Sequence, residues 1–211
     1  QLVEYDKKFL IVGNKNAVTY KEIFSLFKEN KIRIGYRNMN SDFWLEVPEG
    51  NSFEKIENGK KVKHIMACWY TNLPTTKQEE ELVLYKKYTS DEYPKHDNYD
   101  AIDVNKVTDI PQDYDGVIGV PITFLDKHNP DQFEIVALGN SRENFTPNKD
   151  YINPKKHTKD GKTVNGGAIN GVLSLSQKEK PVGKVYYTSD NSEFLVPPYA
   201  RILIKKKSEG C

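Results

Sequence analysis

Few residues in this chain have the types and spacing to do chemistry, and they do not assemble into a complete catalytic pattern. The most informative stretch is GNKNAVTY, residues 13–20, which follows a short apolar run and precedes an amphipathic one. In open α/β sheets, ligands bind in the crevice beyond the carboxyl ends of the strands. Asn14, Lys15 and Asn16 would offer hydrogen bonds there, although the same residues also suit an ordinary connecting loop. Asp113 and Asp115 flank Tyr114. Such a pair can bind a cation or move a proton, but the Asp–Gly step that follows favours a turn. The four histidines, His64, His96, His128 and His157, are scattered, with no partner at metal-ligand spacing. His64 falls in an apolar stretch as a core histidine, and the other three fall in polar loops. Cys68 has no neighbouring base and reads as a buried thiol rather than a nucleophile. Cys211, the last residue, is expected to fray. A looser cluster comprises Lys149, Lys155, Lys156, His157, Lys159 and Lys162 around Tyr151, with Asn140 and Arg142 upstream. Those types hold phosphates and read base edges, or simply form a solvated face. VNGGAING suits a hairpin turn rather than a phosphate cradle, and no Walker loop or G-x-S-x-G elbow occurs.

The elements that must position these residues follow from hydrophobic periodicity. Residues 9–12, FLIV, form a continuous apolar run closed by Gly13, as in a strand buried on both faces of a parallel sheet. Thr19 and Glu22 have the spacing of a capping box. Tyr20, Ile23, Phe24 and Phe27 then recur on one helical face. Ile32, Ile34 and Tyr36 alternate as a strand does. The first 36 residues therefore read strand–helix–strand. Residues 37–61 read as a long loop with a brief extended piece at Phe43, Trp44 and Leu45, and residues 62–73 as one strand ended by Pro74. KQEEELVLYKKY carries both helical and extended signals, with the extended ones slightly ahead. Beyond it, YDAIDV, DGVIGVPITFL, QFEIVALG, GVLSLSQ, KVYYTSD and YARILIKKK read as strands between turn-rich segments. The fold class is thus α/β: a partial Rossmann-like sheet with a βαβ start, followed by a β-rich, loop-rich region.

Composition sets bounds on function without choosing one. The 211 residues suffice for one large domain, and 31 basic against 30 acidic residues leave a net charge of +1. A global field that attracts nucleic acid is thereby absent, so local clustering must supply any electrostatic footprint. Two cysteines make no disulfide framework and fit a reducing, cytoplasmic setting. No apolar run is long enough to span a bilayer, so no membrane partner is expected. The chain opens QLVEYDKKFL, without Met and without a signal-peptide pattern.

Taken together, KKFLIVGNKNAVTYKEIF, CWYTNL, LYKKY, the run YDAIDVNKVTDIPQDYDGVIGVPITFLDKHNPDQFEIVALGNSR, KHTKDGKTVNGG and PPYARILIKKK resemble the EcoRI-type adenine-specific DNA methyltransferases. The resemblance covers nearly the whole chain, and YDGVIGVPITFL followed by PDQFEI is its most specific part. It implies a Rossmann-like catalytic domain using S-adenosylmethionine, a target-recognition region, duplex DNA as partner, and methyl transfer to N6 of adenine. The base must leave the stack to be reached. The family's Asn/Asp-Pro-Pro-aromatic catalytic loop and cofactor glycine loop are not found. The only Pro-Pro, Pro197-Pro198, follows Val196 near the C-terminus. The resemblance therefore implies a C-terminal segment, residues 1–73 from the catalytic domain and 74–211 a β-rich target-recognition region. Alone it is expected to be inactive and to bind no cofactor tightly. It places Asn14, Lys15 and Asn16 beside the active-site crevice. Phe43 comes first and Tyr36 second as rings to stack on a flipped base, with packing into the core as the alternative for either. Asn140, Arg142, Lys155 and Lys156 become DNA contacts. A non-catalytic DNA-binding or interaction module derived from the same fold is the alternative. Loss of the first strands would expose a sheet edge and favour self-association.

Overall fold

The computed structural model describes residues 1–41, 43–140 and 145–207; Arg142 and Cys211 lie outside the described residues. The chain divides into two compact units. The first comprises Gln1–Glu80 and Leu125–His128, and the second Glu81–Phe124 and Asn129–Cys211.

The first unit is built on a split strand–helix–strand. Strand β1 is Leu10–Asn14, helix α1 is Lys21–Lys28, and strand β2 is Arg33–Ile34. Strands β3 (Phe43–Glu46), β4 (Lys55–Glu57), β5 (Lys60–Ile65) and β6 (Ala67–Thr71) follow, then the single-turn helix α2 (Thr76–Glu79). One sheet has the order β1-β6-β2, and β6 runs antiparallel to both neighbours. Strands β1 and β2 are therefore parallel, with α1 as their crossover and β6 inserted between them. The helix buries Phe24 and Phe27, the latter 6.1 Å from the Tyr70 ring. Each such ring contributes about 1.5–3 kcal/mol on leaving water, which fastens the helix to the sheet.

Several expectations change here. Strand β1 is an edge strand, not a strand covered on both sides, and Leu10, Ile11 and Val12 remain about half exposed. Tyr20, not Thr19, occupies the cap position of α1, without a side-chain bond, and the Thr19 hydroxyl donates to the Asn16 carbonyl. Residues 15–19 wind instead into a 3-10 turn. The expected loop over residues 37–61 contains a hairpin. Asn58 and Gly59 both have positive φ, 50° and 77°, the conformation of a two-residue type I′ turn. They join β4 to β5 in a second sheet of order β3-β5-β4. The single strand expected over residues 62–73 breaks at Met66 into β5 and β6, which belong to different sheets. KQEEE supplies only the short α2, and LVLYKKY forms no strand apart from a bridge between Lys86 and Pro111.

The second unit is mostly β, with strands β7 (Ala101–Asp103), β8 (Val117–Pro121), β9 (Phe133–Leu138), β10 (Lys155–His157), β11 (Thr163–Asn165), β12 (Leu175–Gln177), β13 (Tyr186–Ser189), β14 (Ser192–Val196) and β15 (Arg201–Lys206). A four-stranded sheet has the order β7-β8-β15-β9, and a five-stranded sheet β11-β10-β13-β14-β12. The last described strand, β15, is thus central to its sheet, with Ile202, Leu203 and Ile204 wholly buried. Its core includes Ala101, Ala137, Phe145 and Leu173; a separate core joins Tyr151, Ile169, Tyr187 and Leu195 beneath the five-stranded sheet. No helix among the described residues is long and apolar enough to cross a membrane.

Candidate functional site

Because β1 and β2 run parallel, their carboxyl ends lie at one rim of the first unit, and the loops that leave them form a single construction. Asn14 ends β1 and opens the 3-10 turn, its Oδ1 accepting from the Asn16 amide at 2.8 Å. Its carbonyl accepts from the Tyr70 hydroxyl at 2.7 Å. The Lys15 amide is paired to the Met66 carbonyl, and its Nζ reaches the Ser41 carbonyl at 2.9 Å. That last bond ties the loop after β1 to the loop after β2.

The β2 loop is held from two more directions. Lys77 of α2 donates to the Tyr36 carbonyl and, at 2.5 Å, to Asn38 Oδ1. Both oxygens of Asp126 accept from the Met39 amide, at 2.9 and 3.1 Å. Burial pushes the Asp126 carboxyl above its ordinary range, while the Met39 amide and Lys77, Lys127 and Lys15 oppose that shift. The result is a loop fixed at three points that leaves the Tyr36 ring 81% exposed, with Lys77 Nζ 5.4 Å from its centroid. Phe43, on β3, is half-buried. Its ring is tilted against Trp69 at 6.1 Å, with the Arg37 guanidinium 5.8 Å away. Of the two rings, Tyr36 is the one with an open face, and Phe43 is committed to packing. The exposure of Tyr36 was not legible in the alternating pattern that assigned it to a strand.

Cys68 is buried, and burial, the largest influence on it, pushes its thiol up. Burial likewise pushes the Tyr70 hydroxyl far above its usual range. A cavity of about 820 Å³ opens beside β1, with walls that include Phe9, Ile11, Ile23, Leu26 and Tyr70. Among the described residues, no group of three or more His, Cys, Asp or Glu could hold a metal ion.

In the second unit the structure separates the candidates. Lys155 and Lys156 are adjacent on β10 and therefore point to opposite faces of its sheet. Asn140 forms an isolated bridge with Val172, away from that strand. Asp113 and Asp115 sit beside the expected turn: Asp113 Oδ1 accepts from the Tyr88 amide at 2.7 Å, and Asp115 lies 3.7 Å from Lys206. Two histidines expected in polar loops are buried, His128 at 7% exposure and His96 at 5%. The ring of His96 lies 3.5 Å from Asp103, whose carboxylate takes two bonds from Arg201 at 2.8 and 3.2 Å. A second, partly buried network joins Tyr151 and Lys149 to Asp97, at 2.8 and 2.9 Å, with Ser174 on the Tyr151 hydroxyl. Sequence reasoning missed both, because their members lie up to 98 residues apart.

Comparison with known proteins adds a family to this geometry. The model of the adenine-specific methyltransferase EcoRI family matches residues 1–207. Over 146 residues, the chain is 49% identical to Type II methyltransferase M.EcoRI of Escherichia coli, covering 65% of this chain and 45% of that protein. It is 39% identical to M.MgeORF184P of Mycoplasma genitalium and 37% identical to M.MpnI of Mycoplasma pneumoniae, in each case over 78% of this chain and 55% of the relative. The chain spans about half the length of these curated relatives. No solved structure matches it.

Proposed function

The chain belongs to the EcoRI adenine-specific methyltransferase family, and from that premise we propose that it supplies one wall of the active site and the DNA-reading part of an enzyme that transfers a methyl group to N6 of adenine in duplex DNA. The observation that carries this reading is the family match over residues 1–207. The rim at the carboxyl ends of β1 and β2 accords with it. The target base must leave the helix stack to expose its amine, and an extruded base needs a flat partner. The open Tyr36 ring offers one, worth about 1–3 kcal/mol per stacked base. The Arg37 guanidinium of that loop lies 5.8 Å from the Phe43 ring. Asn14, Lys15 and Asn16 stand at the same rim, where amide and ammonium groups can orient the base or its phosphate. Asn140, Arg142 and Lys155 are the proposed contacts to the surrounding duplex, and Lys156, on the opposite face of β10 from Lys155, is not assigned to it.

The methyl donor in this reading is S-adenosylmethionine, which supplies an electrophilic methyl on a sulfonium. The residues described here do not match the whole of that molecule. The cavity beside β1 has mainly aliphatic and aromatic walls, whereas the donor carries a sulfonium, an ammonium and a carboxylate that need polar partners. No step is therefore assigned to that cavity, and the chain by itself is proposed to be inactive. In this reading residues 1–73 belong to a catalytic domain and 74–211 to target recognition, and the protein acts in the cytoplasm as part of a restriction-modification system.

The test combines transfer of labelled methyl from S-adenosylmethionine with binding to duplex DNA. The expected result is salt-sensitive DNA binding without turnover by the chain alone. Binding with the expected salt dependence reflects release of counterions from phosphates. Absence of DNA binding even at low salt would overturn the reading.

A further inference from the structure

The five-stranded sheet of the second unit has two unlike faces. On one, Tyr187 and Leu195 lie against Tyr151 and Ile169 in a closed core. The strand registers define the other. Lys155 is opposite Thr188 and Asn165; His157 is opposite Tyr186 and Thr163; Gln177 is opposite Phe194. Directly opposed residues share a face, so these form one surface of a lysine, amides, hydroxyls and rings, with the aliphatic pair Leu175 and Val196 beside Gln177 and Phe194. None of the described strand residues paired in register on this surface is a carboxylate; Glu193 falls at the irregularity between β13 and β14.

The surface is also preformed. The His157 ring lies flat on Tyr186, 4.5 Å between centroids and 10° between planes. Its two nitrogens are bonded to Thr188 Oγ1 at 3.0 Å and Thr163 Oγ1 at 3.2 Å. Phe194 meets Tyr186 edge-on at 5.9 Å, and Lys180 extends its ammonium to 5.9 Å from the same ring. A surface already ordered in this way loses little conformational freedom on binding. At its edge, β11 is exposed along its whole length.

We propose that this face lies against duplex DNA, with Lys155 and Lys180 on phosphates and the amides of Asn165 and Gln177 at base edges. The proposal rests on the DNA-methyltransferase reading and deepens it by naming the surface. It draws on charge complementarity: Lys155 and Lys180 stand at a face on which none of the described register-paired strand residues is a carboxylate, in a chain whose net charge is only +1. Asn and Gln are also the side chains that pair in bidentate fashion with adenine in the major groove. It further separates Lys155 from Lys156, which faces the opposite side.

Fluorescence anisotropy of the whole chain with a labelled duplex, titrated over salt, tests this. Each phosphate contact contributes about 0.9 to the slope of log K against log salt. Lys155→Ala combined with Lys180→Ala is expected to flatten the slope by about 2 and weaken binding about tenfold or more at low salt. Lys205→Ala, on the other sheet, is expected to leave both unchanged. All three lysines are exposed, and circular dichroism checks that the variants fold. An unchanged slope in the double variant, with the wild type still binding DNA, overturns this proposal and leaves the general reading standing. A wild type that binds no DNA overturns both. Equal or tighter binding to single-stranded RNA overturns the commitment to duplex DNA. Asn165→Ala with Gln177→Ala should preserve the slope but flatten the preference recovered from a randomised duplex pool; an unaltered preference removes those amides from the surface.

Discussion

Acidification is expected to weaken the second unit through one residue, His96. Its side chain is fully enclosed, 3.5 Å from Asp103. Burial, the largest cause, lowers its pKa from 6.5 to about 4, with Asp103 opposing and Arg201 reinforcing the shift. The unfolded chain therefore takes up this proton at a higher pH than the folded one. The stabilisation from keeping His96 neutral is complete above about 6.5 and is lost as pH falls through that value towards about 4. At about 1.4 kcal/mol per pH unit, the interval corresponds to about 3 kcal/mol, a large part of the 5–15 kcal/mol or so that typically holds a domain. Both tryptophans, Trp44 and Trp69, lie in the first unit, so their fluorescence is the wrong probe. Hydrogen exchange at the amides of Ile202, Leu203 and Ile204 on β15 reports the second unit directly. Corrected for intrinsic rates, their protection should fall with acid in the wild type. His96→Leu should remove about 3 kcal/mol of that pH dependence, whatever constant offset the substitution brings. If the two proteins lose protection in parallel between about 6.5 and about 4, His96 is not the titrating group and the reasoning fails.

Three other perturbations have outcomes set by the structure. Arg201→Met strands the buried Asp103 carboxylate and should cost about 3–5 kcal/mol in urea denaturation, with much of that regained when Asp103→Leu is added. Gly59→Ala places a side chain at φ +77° in the β4–β5 turn and should destabilise that hairpin by about 1 kcal/mol, read as faster exchange along β5. The exposed edge of β1 is expected to make the chain associate as concentration rises, and Ile11→Lys should suppress it. Light scattering showing a constant monomer mass in the wild type at high concentration would refute that edge as a contact.

Much of the local structure was legible because its signals are short in range. The helical repeat of Ile23, Phe24 and Phe27 appears as α1, and the apolar runs of the second half appear as β7, β8, β9, β12, β13 and β15. The Asn58–Gly59 step is an equally local hairpin signal, and it was available within the segment read as a loop. Where local signals compete, sequence spacing does not choose between them. Thr19 stands at capping-box spacing from Glu22, and its hydroxyl donates to the Asn16 carbonyl within the 3-10 turn.

The sequence alone determined the family, the strand–helix–strand opening, the buried thiol of Cys68 and the set of polar residues near the end of β1. These rest on contiguous residues, so their information survives in one dimension. Tertiary structure alone decided which of them act together. It inserted β6 between β1 and β2, so that the Asn14 and Tyr36 loops share a rim. It opened the Tyr36 ring and packed the Phe43 ring, and it brought Asp103 beside Arg201 across 98 positions. It also set Lys155 and Lys156 on opposite faces of one strand. The physical reason is the same in each case: exposure and pairing depend on which distant segment packs alongside, and that is resolved only when the sheets close.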